Sequence, residues 1–197
     1  MKPIEQIPID DIYEARERIK HLVSPSPMIR LPIDDAPAEI YLKLENLQPI
    51  GSFKLRGATN AIESLTPEEL ANGLCTPSTG NMAQGVAWNA KRLGIPCEVI
   101  VPDSIPLAKL NALQRMGAKI IQIPFDDWWN VLMTHQFDGA NGYFIHPVSN
   151  PVVITGHGVI GLEILEDLPD VDAVLIPYGG GGLTSGIGSV MRALKPD

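Results

Sequence analysis

The sequence predicts an α/β fold built on parallel sheet, and three observations carry that prediction. Short apolar runs rich in β-branched residues alternate with stretches patterned at helical spacing, which implies parallel strands joined by right-handed crossovers. One run, Asp172-Ala173-Val174-Leu175-Ile176, is apolar almost throughout, as suits a strand covered on both faces. Four consecutive glycines follow it and lead into another helical pattern, a strand–turn–helix arrangement typical of such folds. The 197 residues suffice to bury a core, in one domain or two small ones.

The elements follow in order. Asp11 and Glu14 have capping-box spacing, and Ile12, Ala15, Ile19 and Leu22 mark one face of an amphipathic helix. Pro25, Pro27 and Pro32 forbid its continuation. A strand is expected at 40–44, where Ile40, Leu42 and Leu44 alternate with Tyr41 and Lys43. Beyond Lys54 the pattern reads helix 55–64, strand 73–76, helix 82–93, strand 97–101, helix 106–116, strand 119–123 and helix 127–134. Gly94 is the expected stop of the helix at 82–93, and Asp126 or Asp127 the expected cap of the last. After the turn-rich Asp138–Gly142 come a strand-like Pro151–Ile154, a helix over Leu162–Leu168 and the strand at 172–176. Leu183, Ile187, Val190, Met191 and Leu194 then recur at helical spacing.

Composition narrows the function. A net charge of -8 argues against nucleic acid as a partner. Although 45% of residues are hydrophobic, no uninterrupted apolar run reaches the length of a membrane span. Met1–Glu5 offers no apolar signal core, and two cysteines make no disulfide framework. A cytoplasmic enzyme is the expectation. Cys75 and Cys97 lack zinc spacing, and His21, His135, His146 and His157 form no H-E-x-x-H pattern, so no metal ligands are assigned. No G-x-S-x-G elbow is present.

Three segments carry chemistry. In Gly51-Ser52-Phe53-Lys54-Leu55-Arg56-Gly57-Ala58 a lysine follows an aromatic at the start of a helix. A lysine amine is nucleophilic only when desolvation or cationic neighbours leave part of it unprotonated. Phe53 and Leu55 are the expected apolar walls, and Arg56 the nearby cation. In Gly179, Gly180, Gly181 and Gly182 the absence of side chains lets several N–H groups converge on one anion at a helix start; a phosphate monoester is the natural guest. Ser78-Thr79-Gly80-Asn81-Met82 also opens a helix, with hydroxyls, an amide and free N–H groups suited to a carboxylate. A rival pattern, Gly156-His157-Gly158-Val159-Ile160-Gly161, satisfies G-x-G-x-x-G. The next strand ends Ile176-Pro177-Tyr178 without the carboxylate a dinucleotide site needs, so these glycines are read as permitting close helix–strand packing.

Together these segments resemble the pyridoxal-phosphate enzymes of the tryptophan-synthase-β fold (fold type II), nearest to the threonine/serine dehydratase and serine racemase branch. The stretches at 44–58 and 179–183 carry the likeness, with Val101-Pro102, Lys109, Gly117-Ala118, His146-Pro147 and 156–163 in the expected order. The resemblance implies two open parallel-sheet α/β domains: a small one at 48–144, and a larger one at 1–47 and 145–197 that looks truncated at its C-terminal side. It implies pyridoxal 5'-phosphate as cofactor, Lys54 as its Schiff-base lysine and general base, and Phe53 beside it. Asn81 would bond the ring hydroxyl, Gly179, Gly180, Gly181, Gly182 and Leu183 would form the phosphate cup, and Ser78, Thr79, Gly80, Asn81 and Met82 would receive the substrate carboxylate.

The implied reaction is conversion of L-threonine, L-serine or a related 3-hydroxy amino acid to a 2-oxo acid and ammonia. Racemisation on the same fold and a non-catalytic fragment are the alternatives. Met82 stands where the branch commonly has histidine. Thr79 stands where racemases place serine and dehydratases alanine, so its hydroxyl is a candidate proton donor. Tyr178 is bulkier than the residue usual before the glycines. The resemblance also implies a homo-oligomer, a dimer in the full-length form. Family chains continue past the glycine loop and supply there the group facing the pyridine nitrogen.

Overall fold

The computed structural model describes residues 6–196. The expectation for Met1–Glu5 therefore lies outside the described residues, as does Asp197. Helix α1 (Ile9–Ile19) is followed by β1 (Met28–Leu31) and β2 (Ile40–Lys43), an antiparallel pair with Met28 opposite Lys43. After a 3-10 turn at Glu45–Leu47 come α2 (Lys54–Glu63), α3 (Pro67–Leu70), β3 (Leu74–Pro77) and α4 (Asn81–Leu93). Then follow β4 (Cys97–Pro102), α5 (Leu107–Arg115), β5 (Lys119–Ile123), α6 (Phe125–Thr134), β6 (Tyr143–Phe144), α7 (Pro151–Asp167) and α8 (Gly182–Leu194).

The main sheet has strand order β5-β4-β3-β6 and is parallel throughout, as the strand–helix alternation requires. Its central strands β3 and β4 are buried along their whole length. Against them α4 lays the stripe Ala83, Val86, Ala87 and Ala90, and ends at Gly94 in the left-handed region (φ 68°). A second core joins α1, α2, α7 and α8 through Ile12, Ile19, Leu55, Ile154, Leu162 and Val190.

Several local expectations are corrected. Pro151–Ile154 is not a strand but the first turn of α7. Asn150 caps that helix by accepting the N–H groups of Val152 and Val153, and proline at its first position costs no hydrogen bond. The run at 172–176 forms no ladder among the described residues. Val174 and Ile176 do face inward onto Ile160, Ile164 and Ile187, while Leu175 between them is 93% exposed. The alternation of a strand is there without a neighbour to bond it. α1 begins at Ile9 with no side-chain cap, so Asp10 and Asp11 serve the helix dipole instead of a capping box. Likewise α6 starts after Pro124, leaving Asp126 and Asp127 in its first turn. The short β1, α3 and β6 had no counterpart in the sequence reading.

The glycines of the rival motif lie inside α7, each against a helix. A Cβ on Gly156 would stand 2.7 Å from the Arg56 carbonyl oxygen of α2; one on Gly158 would stand 2.8 Å from Ile12 Cδ1 of α1; one on Gly161 would stand 2.9 Å from Val190 Cβ of α8. They permit close helix–helix packing, where helix–strand packing was expected.

Candidate functional site

Lys54 is the first residue of α2, with Phe53 immediately before it and the Ser52 hydroxyl accepting its backbone N–H at 3.3 Å. Its Nζ donates to the Pro147 carbonyl oxygen at 3.0 Å and lies 5.4 Å from the centre of the Phe53 ring. Burial pulls the amine below its ordinary pKa, with no charged neighbour contributing to the shift. Two expectations about its neighbours are thereby corrected. Leu55 packs into the core with α1 and α7. Arg56 is 1% exposed and held by Glu163 at 2.6 and 2.9 Å and by Glu45 at 2.8 and 2.9 Å. Lys43 joins the same cluster, 3.0 Å from Glu163 and 2.8 Å from Asp167. The Arg56 charge is thus matched within its own network, and desolvation alone tunes Lys54.

The segment between β6 and α7 connects that amine to the glycine loop. Pro147 meets Lys54, and the next residue, Val148, packs on the loop: a Cβ on Gly180 would overlap the Val148 side chain, and one on Gly182 would stand 3.1 Å from the Val148 carbonyl oxygen. Gly181 precedes α8 in the left-handed region (φ 86°), which lets the chain turn into the helix with its first N–H groups free of intrahelical partners. Gly179 has nothing near its would-be Cβ, and Leu183 is half-buried in the first turn of α8. The exposed Tyr178 folds its hydroxyl back to within 3.4 Å of where a Gly181 Cβ would be. The hydroxyl of Thr184 in the same helical turn is buried and has no partner among the described residues.

Ser78, Thr79 and Gly80 form the half-buried turn into α4, with the Ser78 hydroxyl accepting the Gly80 N–H at 3.3 Å. Asn81 is exposed at the first helical position, whereas the Met82 side chain is 2% exposed and belongs to the main core. Only the backbone of Met82 is therefore free for a ligand. The turn adjoins α2: a Cβ on Gly85 would stand 3.4 Å from the Lys54 carbonyl oxygen.

The sequence reading gave His157 no role. It is completely buried in α7, both ring nitrogens lack partners among the described residues, and its ring makes an edge contact with Phe53 at 5.0 Å between centroids. Gly57 and Gly182 flank it. Burial first, then the charges of Lys54 and Arg56, hold its pKa well below the usual value, so it is neutral. A lone histidine inside an apolar helical run was the available signal.

Comparison with known proteins sets this geometry in a family. The sequence profile of a family described as pyridoxal-phosphate dependent enzyme matches residues 19–197. The chain belongs to that family. It is 41% identical over 195 residues to an L-threonine ammonia-lyase of Thermotoga maritima, covering 97% of this chain and 48% of that protein. Among solved structures it resembles maize serine racemase, with a TM-score of 0.88, 34% identity and coverage of 98% of this chain and 59% of that one. A processed threonine deaminase isoform 2 from Solanum lycopersicum gives a TM-score of 0.82 and 33% identity, covering 100% of this chain and 58% of that one. The chain spans about half the length of the relatives it matches.

Proposed function

We propose that the protein is a pyridoxal-phosphate-dependent ammonia-lyase that converts L-threonine or L-serine to a 2-oxo acid and ammonia. One observation carries the reading: the desolvated Lys54 amine and the glycine loop meet on consecutive residues, Pro147 and Val148. The residues suit the cofactor. A loop whose Cβ atoms would strike Val148, followed by a helix start and an unpartnered buried hydroxyl on Thr184, supports a phosphate guest. When bound, pyridoxal phosphate supplies the electron sink for charge developing at the substrate α-carbon.

The chain's residues supply the rest. Lys54, its pKa lowered by burial, would hold the cofactor through Nζ and, when free, would take the substrate α-proton on the same atom. The Pro147 carbonyl oxygen keeps Nζ pointing to one place. Phe53 excludes water on one side of that amine. Gly179, Gly180, Gly181, Gly182 and Leu183 would hold the phosphate, Asn81 the ring hydroxyl, and Ser78 to Met82 the substrate carboxylate, in the last case through N–H groups at the start of α4. We further propose a small domain at 48–144 flanked by 1–47 with 145–197, a cytoplasmic homodimer, and an amino acid as the partner; among the described residues no helix is long and apolar enough to cross a membrane.

The test supplies pyridoxal phosphate and L-threonine or L-serine and follows 2-oxo acid, ammonia and D-amino acid together. Release of 2-oxo acid and ammonia in equal amounts supports the lyase, and D-amino acid without either replaces it with a racemase. Borohydride should fix the cofactor on Lys54. A Lys54→Ala variant that still turns over normally would overturn the assignment.

A further inference from the structure

His146 and His135 lie outside the roles assigned above, yet they stand directly behind Pro147. The His146 Nε2 is 3.0 Å from the Leu132 carbonyl oxygen of α6, which can only accept, so Nε2 carries the proton and Nδ1 is the acceptor. That acceptor gathers the backbone N–H of Val148 at 3.2 Å and of Ser149 at 2.9 Å, with the Ser149 hydroxyl at 3.1 Å. His135, left-handed at the end of α6 (φ 63°), stacks on the imidazole at 3.9 Å between centroids and meets the Ser149 hydroxyl at 3.3 Å. The Pro147 carbonyl shares one planar peptide unit with the Val148 N–H, so a bond that fixes that N–H also fixes the direction of the carbonyl. The His146 ring is 3% exposed and its neutral form persists, burial pushing its pKa down to about 4.

We propose that His146 is a positioning residue for Lys54 and the glycine loop at once. By collecting two successive N–H groups on Nδ1 it turns the Pro147 carbonyl onto the Lys54 amine and sets Val148 against Gly180. The cofactor part of this inference rests on the function proposed above, with Lys54 as the amine that carries pyridoxal phosphate.

The test uses the full chain, pyridoxal phosphate as probe and three variants. His146→Leu removes the acceptor; His146→Asn restores an oxygen close to the place of Nδ1; Ser149→Ala keeps the backbone N–H and is the control. Borohydride trapping on Lys54 is quantified by peptide mapping across a pyridoxal-phosphate titration, beside thermal unfolding of each protein. His146→Leu should weaken half-saturation by about tenfold or more, as a displaced positioning group does, with His146→Asn and Ser149→Ala within about threefold of the parent. Equal trapping in folded His146→Leu and parent, or equal losses in the Leu and Asn variants, overturns the inference while leaving the function standing. A parent that traps nothing on Lys54 overturns both. Should His146→Leu not fold, hydrogen exchange in the parent decides: the Val148 and Ser149 amides should be protected and slow further with pyridoxal phosphate, and fast exchange unmoved by the cofactor overturns the inference.

Discussion

Gly57 of α2 and His157 of α7 touch so closely that no side chain fits between them: a Cβ on the glycine would overlap the imidazole and stand 2.6 Å from the Val153 carbonyl oxygen. The contact sets the spacing of α2 and α7, and α2 begins with Lys54. Gly57→Ala must push the helices apart or distort the ring. It should lower unfolding stability by about 1–3 kcal/mol, measured by urea titration, and weaken pyridoxal-phosphate binding in the fraction that folds. An unchanged midpoint would mean that the interface is looser than these distances say.

At the glycine loop, Gly180→Ala meets Val148 and Gly181→Ala strains a left-handed residue. Both should reduce affinity for pyridoxal phosphate, followed by its visible absorbance, while far-ultraviolet dichroism stays near that of the parent. Gly179→Ala, open on all sides, is the informative contrast: it should lose affinity only if a bound phosphate fills that space.

The cluster of Arg56, Glu45, Glu163 and Lys43 predicts a non-additive result. Arg56→Met leaves two carboxylates facing each other in a buried place, and should cost about 3–5 kcal/mol in chemical denaturation. Replacing Arg56, Glu45, Glu163 and Lys43 together by apolar residues of similar volume should cost much less than the sum of the single changes.

Acid sensitivity follows from two neutral histidines. Burial chiefly depresses His146, to about 4, and holds His157 well below its usual value, whereas both titrate near 6.5 when unfolded. Between pH 6.5 and 4 the unfolded chain therefore binds more protons than the folded one, so stability is full above 6.5 and falls as the pH drops through that window. The urea midpoint should be lower at pH 5 than at pH 7.5, and His157→Gln should flatten the difference. A flat profile in the parent would place these rings in water.

Sequence pattern located most of the parallel sheet and its flanking helices. The strands at 97–101 and 119–123 and the helix at 82–93 lie within a residue or two of their observed limits, because periodicity and the Gly94 stop agree there. It misplaced 151–154, since proline followed by Val152, Val153 and Ile154 has strand composition, while the Asn150 cap was the stronger signal. A strand at 172–176 needs a partner's ladder, which no local pattern encodes. In the site, Lys54 and the glycine loop were legible as residue types. Their meeting through Pro147 was not, because the bond is made by a backbone carbonyl that any residue would supply. Arg56 was visible as a charge but not as a direction: positions two apart on a helix do not share a face.

The same Arg56 cluster bears on how such a sequence can drift. Its members are linked pair by pair across three separate stretches of chain, at 43–45, 56 and 163, with Asp167 at the rim. A single substitution at its buried centre passes through a protein with an unmatched interior charge, even where the fully apolar end point is as stable as the start. Lineages can therefore retain these residues without any of them touching a substrate. Persistence here would record a missing stepwise exit, and it should be discounted when invariant positions are used to find the active site.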